Sequence, residues 1–164
     1  MKDLTDRALN RAQLLGASYA DIRIVRRHTQ VITVKNGRVE ALSLDEDQGF
    51  GVRAIVDGAW GFAAGSRIES ADVDRVTAQA VKIARASSMV KVRDVNIGPQ
   101  EVHVGTYRTP VEIDPFGVSL EDKISLLLAA DEEMRKVKGL AVAEGSLEFI
   151  REHKVFASTE GSYV

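Results

Sequence analysis

Gly49-Phe50-Gly51-Val52-Arg53-Ala54-Ile55-Val56-Asp57-Gly58-Ala59-Trp60-Gly61-Phe62-Ala63-Ala64-Gly65 is the stretch that decides the fold. Two alternating runs flank Asp57-Gly58, a dipeptide suited to a two-residue hairpin turn because its second residue takes positive φ freely. A turn there predicts the pairs Val56/Ala59, Ala54/Gly61, Val52/Ala63 and Phe50/Gly65 on one face, bulky residues against small ones. Ile55/Trp60, Arg53/Phe62 and Gly51/Ala64 fall on the other. The first face is apolar and reads as core, with room for a helix to press close to the small residues. The second carries Trp60 and Phe62, with Arg53 placed to lie over an aromatic ring.

Working outward, a helix is predicted over 3–15, with Leu4, Ala8, Ala12 and Leu15 on one face and Gly16 to end it. A strand over 20–28 puts Ile22 and Ile24 on one side and Asp21 and Arg23 on the other. A second strand, 30–35, meets Asn36-Gly37, a strong hairpin signal. Pairing across it sets Val34/Val39 and Ile32/Ala41 on a dry face, Lys35/Arg38 and Thr33/Glu40 on a wet one. The run passes Leu42 and Leu44 into an acidic tip, Asp45-Glu46-Asp47. After the central hairpin, Ser70 is a good N-cap, with Asp72 and Asp74 in the first turn. Val73, Val76, Ala80, Ile83 and Ala84 form the buried stripe of the helix expected to cover the small-residue face.

Residues 87–117 contain Pro99, Pro110 and Pro115. They predict an extended connection with short strand pieces around 102–107. Ser119-Leu120-Glu121-Asp122 resembles a capping box. It opens a helix to about Lys138, with Ile124, Leu127, Leu128, Met134 and Val137 inward and Gly139 closing it. Two further strands, 140–150 and 154–158, join near Arg151-Glu152-His153, and Tyr163-Val164 would begin another. A sheet protein that stops as a strand begins is expected to be a piece of a longer one. The fold class is thus α+β: a mostly antiparallel sheet of five to seven strands, helices packed on one face, in one domain over 1–164.

The totals suit an ordinary soluble protein. Its 164 residues are 45% hydrophobic and 28% charged, with a formal charge of −2, so no electrostatic footprint for nucleic acid appears. The absence of cysteine rules out disulfides and thiolate metal sites within the chain and fits a reducing compartment. No apolar run suggests a signal segment or a membrane span. A cytoplasmic location is expected.

Local chemistry yields no active site. His28, His103 and His153 are far apart and lack metal-ligand spacing. Arg26-Arg27-His28 reads as a solvated basic strand face, Asp45-Glu46-Asp47 as a solvated acidic loop without the further oxygen ligands a hard cation needs, and Glu152-His153 as an exposed turn pair. Gly49-Phe50-Gly51-Val52 is not a phosphate loop, and no serine lies in a nucleophile elbow. No catalytic residue and no metal ligand is assigned. Arg53, Trp60 and Phe62 remain as a surface for substrate or assembly.

The central hairpin also carries a resemblance. Gly49 to Ala64 closely resembles the Gly-x-Gly-x-Arg-x-x-x-x-Gly-x-x-Gly-Phe-Ala signature of the TldD/PmbA family, also called modulators of DNA gyrase. Tyr19-Ala20-Asp21-Ile22-Arg23, the Asn36-Gly37 turn, the helix after the hairpin and Lys154-Val155-Phe156-Ala157-Ser158-Thr159-Glu160-Gly161 look similar to the family's N-terminal domain. The resemblance implies part of an intracellular metal-dependent peptidase that degrades or processes unfolded peptides. It implies assembly as a homodimer, or as a heterodimer with a relative, around an internal chamber. The family's zinc site uses His-Glu-x-x-x-His and a distant cysteine. Neither occurs here, so no zinc ligand carries over and the chain alone is expected to be inactive, with zinc belonging to the full-length enzyme. The other reading is a non-catalytic protein-binding module acting in gyrase or toxin–antitoxin regulation.

Overall fold

The computed structural model describes residues 1–99 and 101–164. In chain order it contains helix α1 (Lys2–Leu14), strands β1 (Tyr19–Lys35), β2 (Arg38–Val56) and β3 (Ala59–Gly65), and helix α2 (Ser70–Ser88). A short 3-10 turn (Pro115–Gly117), helix α3 (Leu120–Arg135) and strand β4 (Glu144–Ser158) follow. The strands form one sheet in the order β3-β2-β1-β4. The fold is α+β, but with four strands among the described residues rather than five to seven. The difference arises because runs expected to be separate are continuous. Residues 28–30 lie inside β1, the acidic 45–47 inside β2, and Arg151-Glu152-His153 inside β4. None of these junctions contains glycine or proline, so nothing there breaks an extended backbone.

The two tight turns behave as their sequences dictate. Asn36 and Gly37 have φ of 49° and 78°, Asp57 and Gly58 of 46° and 73°, the paired positive φ of a type I′ hairpin turn. The β2–β3 register follows from the second turn, running from Val56↔Ala59 to Phe50↔Gly65, every pair as predicted.

The chain divides into two compact units. The first comprises Met1–Arg26, Gln48–Arg108 and His153–Val164. Its core joins Ile22, Ile24, Phe50 and Val52 of the sheet to Ala8 of α1 and Val73, Val76 and Ala80 of α2. A smaller cluster of Ala12, Ala20, Ala54, Val56, Val81 and Ala84 continues it. The bulky-against-small pattern has a clear purpose at Gly61. A Cβ there would lie 2.1 Å from the Ala80 carbonyl oxygen and 2.3 Å from the Ala84 nitrogen. The backbone of α2 therefore rests directly on β3, which only glycine permits. Arg7 of α1 binds Asp74 of α2, and Arg85 donates to the Leu15 carbonyl at 2.8 Å.

Three expectations for α2 and its surroundings are corrected. Ile83 is exposed, and Val81 and Thr77 complete the buried stripe instead. The stripe at 73, 76, 77, 80, 81 and 84 is centred so that residue 83 falls at its rim. The N-cap is Glu69, without a side-chain cap bond, and Ser70 is already helical. Of the strand pieces expected around 102–107, only an isolated bridge forms, Val104 with Tyr163, while Tyr163 also bridges Ala157. Gln100, within that connection, lies outside the described residues.

The second unit comprises Arg27–Asp47 and Thr109–Glu152. Here α3 covers Ile32 and Val34 with Leu127, flanked by Ile124, Leu128 and Leu147. Ser119 caps α3, accepting from the Asp122 backbone N–H at 3.0 Å. The helix ends at Arg135, and Val137 is exposed. The buried row is Lys123, Leu127 and Asp131, at i, i+4 spacing. Lys123 reaches Gln30 at 2.6 Å and lies over the Phe149 ring, and Asp131 accepts from Arg135. Polar residues thus flank Leu127 in the buried row, outside the expected apolar stripe, and Asp131 keeps one carboxylate oxygen, Oδ1, without a partner. The predicted dry face across the Asn36-Gly37 turn holds only on β1, because Val39 and Ala41 are exposed.

Candidate functional site: an arginine–aromatic sheet face

Strand alternation fixes the two faces of the sheet in the first unit. With Ile22 and Val52 against the helices, Tyr19, Asp21 and Arg23 of β1, Arg53 of β2, and Trp60 and Phe62 of β3 fall on the opposite face. Asp21 is its centre. Its carboxylate is 1% exposed and accepts from Arg53 Nε at 2.9 and 3.2 Å and from the Tyr19 hydroxyl at 3.0 Å. Arg53 adds a second contact at 2.7 Å, and Arg23 one at 3.2 Å. A carboxylate taken this far from water needs such partners, and this one has three.

Aromatic rings flank the cluster. The Arg53 guanidinium lies 5.3 Å from the Trp60 ring centroid, and Arg23 lies 5.0 Å from that of Phe156 on β4. Tyr19 meets Trp60 edge-to-face at 5.8 Å, the geometry favoured by ring quadrupoles. Phe62 folds over Gly51, where a Cβ would sit 2.8 Å from its ring. Arg53, Trp60, Gly61, Phe62 and Ile83 line an open cleft of about 360 Å³. The misplaced Ile83 thus becomes one wall of it.

The electrostatics of this face follow from the Asp21 carboxylate at its centre. Burial, then the charge and hydrogen bond of Asp21, pushes the Tyr19 phenol up to about 12, so it remains a donor at neutral pH. The hydrogen bond from Arg53 to Asp21 raises the arginine further above its ordinary value. Both guanidiniums keep about two-fifths of their side-chain surface open, leaving donors for an acceptor on a ligand while their other edges are held by Asp21.

The three residues singled out from sequence, Arg53, Trp60 and Phe62, line the same cleft. Tyr19, Asp21, Arg23 and Phe156 were missed as members of the site. Alternation placed Asp21 and Arg23 on one side of their strand, but nothing local identified β2 as the neighbour that supplies Arg53. The other candidates lie elsewhere. Arg27 binds Glu152 at 2.6 Å, and His28 lies 3.3 Å from Glu46. His103 lies 3.4 Å from Glu101. Among the described residues no three His, Cys, Asp or Glu side chains gather to hold a metal ion. They do not fit a zinc site. Nor is any helix among them long and apolar enough to cross a membrane.

Comparison with known proteins agrees with this architecture. Residues 20–84 match the family model described as PmbA/TldA metallopeptidase domain 1. A metalloprotease of Methanocaldococcus jannaschii is 25% identical over 148 residues, covering 89% of this chain and 32% of that protein. A protein of Bacteroides thetaiotaomicron described as a modulator of DNA gyrase shares the fold with a TM-score of 0.80 at 16% identity, over 99% of this chain and 37% of its own. TldE of Thermococcus kodakarensis does so with a TM-score of 0.73 at 17% identity, over 98% and 36%. The chain spans about a third of the length of these relatives. The hairpin signature, the family model matched over residues 20–84 and the shared fold all liken this chain to the first domain of the PmbA/TldA metallopeptidases.

Proposed function

We propose that this chain is the non-catalytic domain of a larger metal-dependent peptidase, and that its arginine–aromatic face contacts the polypeptide substrate or an adjoining part of the assembly. The observation that carries the reading is the placement of the family's signature residues. Arg53, Trp60 and Phe62 form a half-open cleft instead of core, and Asp21 holds Arg53 in position. Aromatic residues and arginine are the side chains that dominate protein-binding surfaces. Zinc, the cleavage of unfolded peptides, an intracellular setting and a homodimeric or heterodimeric chamber belong to this proposal through the family. The chemistry would reside in sequence beyond the third of the relatives' length represented here.

The test compares hydrolysis of an unfolded peptide by this chain and by a full-length form containing it. The full-length form is expected to cleave and this chain to be inert; robust cleavage by the isolated chain would overturn the assignment. In the full-length form, Trp60→Ala combined with Phe62→Ala should lower kcat/KM at least tenfold or weaken assembly, with metal content unchanged. If activity and assembly both persist, the face is not used.

A further inference from the structure

We infer that the first half of β2, in the second unit, is a docking edge for an extended polypeptide segment of net positive charge. This surface is separate from the arginine–aromatic face and does not depend on the peptidase reading.

β3 pairs with β2 only from Phe50 to Val56. In the order β3-β2-β1-β4, no strand among the described residues continues that ladder beside 38–47. Every residue from 38 to 48 is exposed, so both faces of this length of strand, as well as its edge, are open. An unpaired edge presents alternating N–H and C=O groups that another extended chain can satisfy without regard to its sequence. The side chains then set the preference. Val39, Leu42 and Leu44 are 44, 50 and 64% exposed, aliphatic surface of the kind an added strand covers.

Charge selects the occupant. Residues 38–47 read Arg-Val-Glu-Ala-Leu-Ser-Leu-Asp-Glu-Asp, four carboxylates against one cation. Natural edges commonly deter pairing with lysine, whereas here the charged residues are mostly acidic. An antiparallel second copy centred on Leu42/Ser43 would set Glu40 opposite Asp45, a destabilising like-charge pair, and Arg38 opposite Asp47, so the two terms offset and leave two segments of like net charge side by side. An incoming strand bearing lysine or arginine between apolar residues would meet carboxylates and leucines instead. Through its excess of carboxylates the edge therefore favours a basic, extended partner over a second copy of itself.

The experiment uses the intact chain and three labelled ten-residue probes: alternating lysine and valine, alternating glutamate and valine, and the lysine peptide with alternate backbone nitrogens methylated. Fluorescence anisotropy should show the lysine peptide binding at least tenfold tighter than either other probe, with amide hydrogen exchange slowed across 38–47. The reversed variant Glu40→Lys/Asp45→Lys/Asp47→Lys should exchange the preference to the glutamate peptide. Asp45→Lys alone, a milder surface change, should weaken lysine-peptide binding about threefold if the triple variant fails to fold. Equal binding of the methylated probe would reduce the effect to bulk electrostatics and overturn the inference. So would a lysine preference that survives reversal, protection of 38–47 by self-association without peptide, or no binding by any probe at millimolar concentration.

Discussion

Replacing Gly61 by alanine adds one methyl group and should unsettle the first unit more than its size suggests. The new Cβ would stand 2.1 Å from the Ala80 carbonyl oxygen, 2.3 Å from the Ala84 nitrogen and 2.8 Å from the Ala84 Cα. All three are backbone atoms, so no side chain can swing aside. Relief requires α2 to retreat by roughly 1 Å, and a gap of that size forfeits about a quarter to a half of the dispersion attraction at each contact it opens. Ala80, Ala84, Val76 and Val81 all lie in the layer that would open. Overpacking of this kind costs about 1–3 kcal/mol, and rigid opposing atoms place Gly61→Ala near the top of that range. At this chain length, a loss of about 3 kcal/mol lowers Tm by roughly 6–12 °C. Trp60, the only tryptophan, sits beside the site and reports urea unfolding by fluorescence, with circular dichroism as a second probe. Gly105→Ala is the control, since nothing lies within 4 Å of its new Cβ. It should change stability by less than about 0.5 kcal/mol, or raise it slightly through the unfolded chain. A Gly61→Ala protein within about 0.5 kcal/mol of the parent would refute the claim that helix and strand are in backbone contact there.

Three further outcomes follow from the arginine–aromatic face. Arg53→Met takes the main partner from a buried carboxylate and should cost about 2–3 kcal/mol, more than the near-isosteric Asp21→Asn, with strong non-additivity in the double variant; additive losses in urea melts would show that the two side chains act separately. Trp60→Ala should cost about 1–2 kcal/mol, below the 3–5 typical of a core tryptophan, because the ring is only partly covered; a full core-sized loss would place it structurally inside. The Tyr19 phenol has a folded pKa of about 12, above its unfolded value near 10. Its contribution is therefore complete below pH 10 and disappears as pH rises toward 12. The stability difference between the parent and Tyr19→Phe should shrink across that window, and a pH-independent difference would exclude the titration.

The hairpin was legible in full because a two-residue turn and a period of two leave no freedom once Asp57-Gly58 is placed. The three residues of its outer face followed directly. What escaped has physical causes. Strand ends were set too early, since charged runs such as Asp45-Glu46-Asp47 look like loops but stay extended when neither glycine nor proline interrupts them. The burial of Lys123 and Asp131 depends on Gln30, Phe149 and Arg135, partners that periodicity cannot supply. Asp21 was seen as a wet-face residue of an amphipathic strand. Its burial comes from Arg53, 32 residues away, through a pairing between strands that no local pattern encodes.

Asp21 has one more consequence, for how β1 finds its place. The middle of that strand, Arg26-Arg27-His28-Thr29-Gln30, has no alternation to tell one face from the other. A slip of one residue would be cheap there and would turn every side chain over. At the strand's start the same slip would drive the Asp21 carboxylate, with Tyr19 and Arg23 of the same strand, toward the helices packed on Ile22 and Val52, and would tear it from Arg53 of β2. Burying these charged groups without Arg53 costs several kcal/mol, more than misplacing an alanine or a valine. A single acidic side chain thus works as a key cut for one alignment, holding in place a strand whose centre has no such instruction.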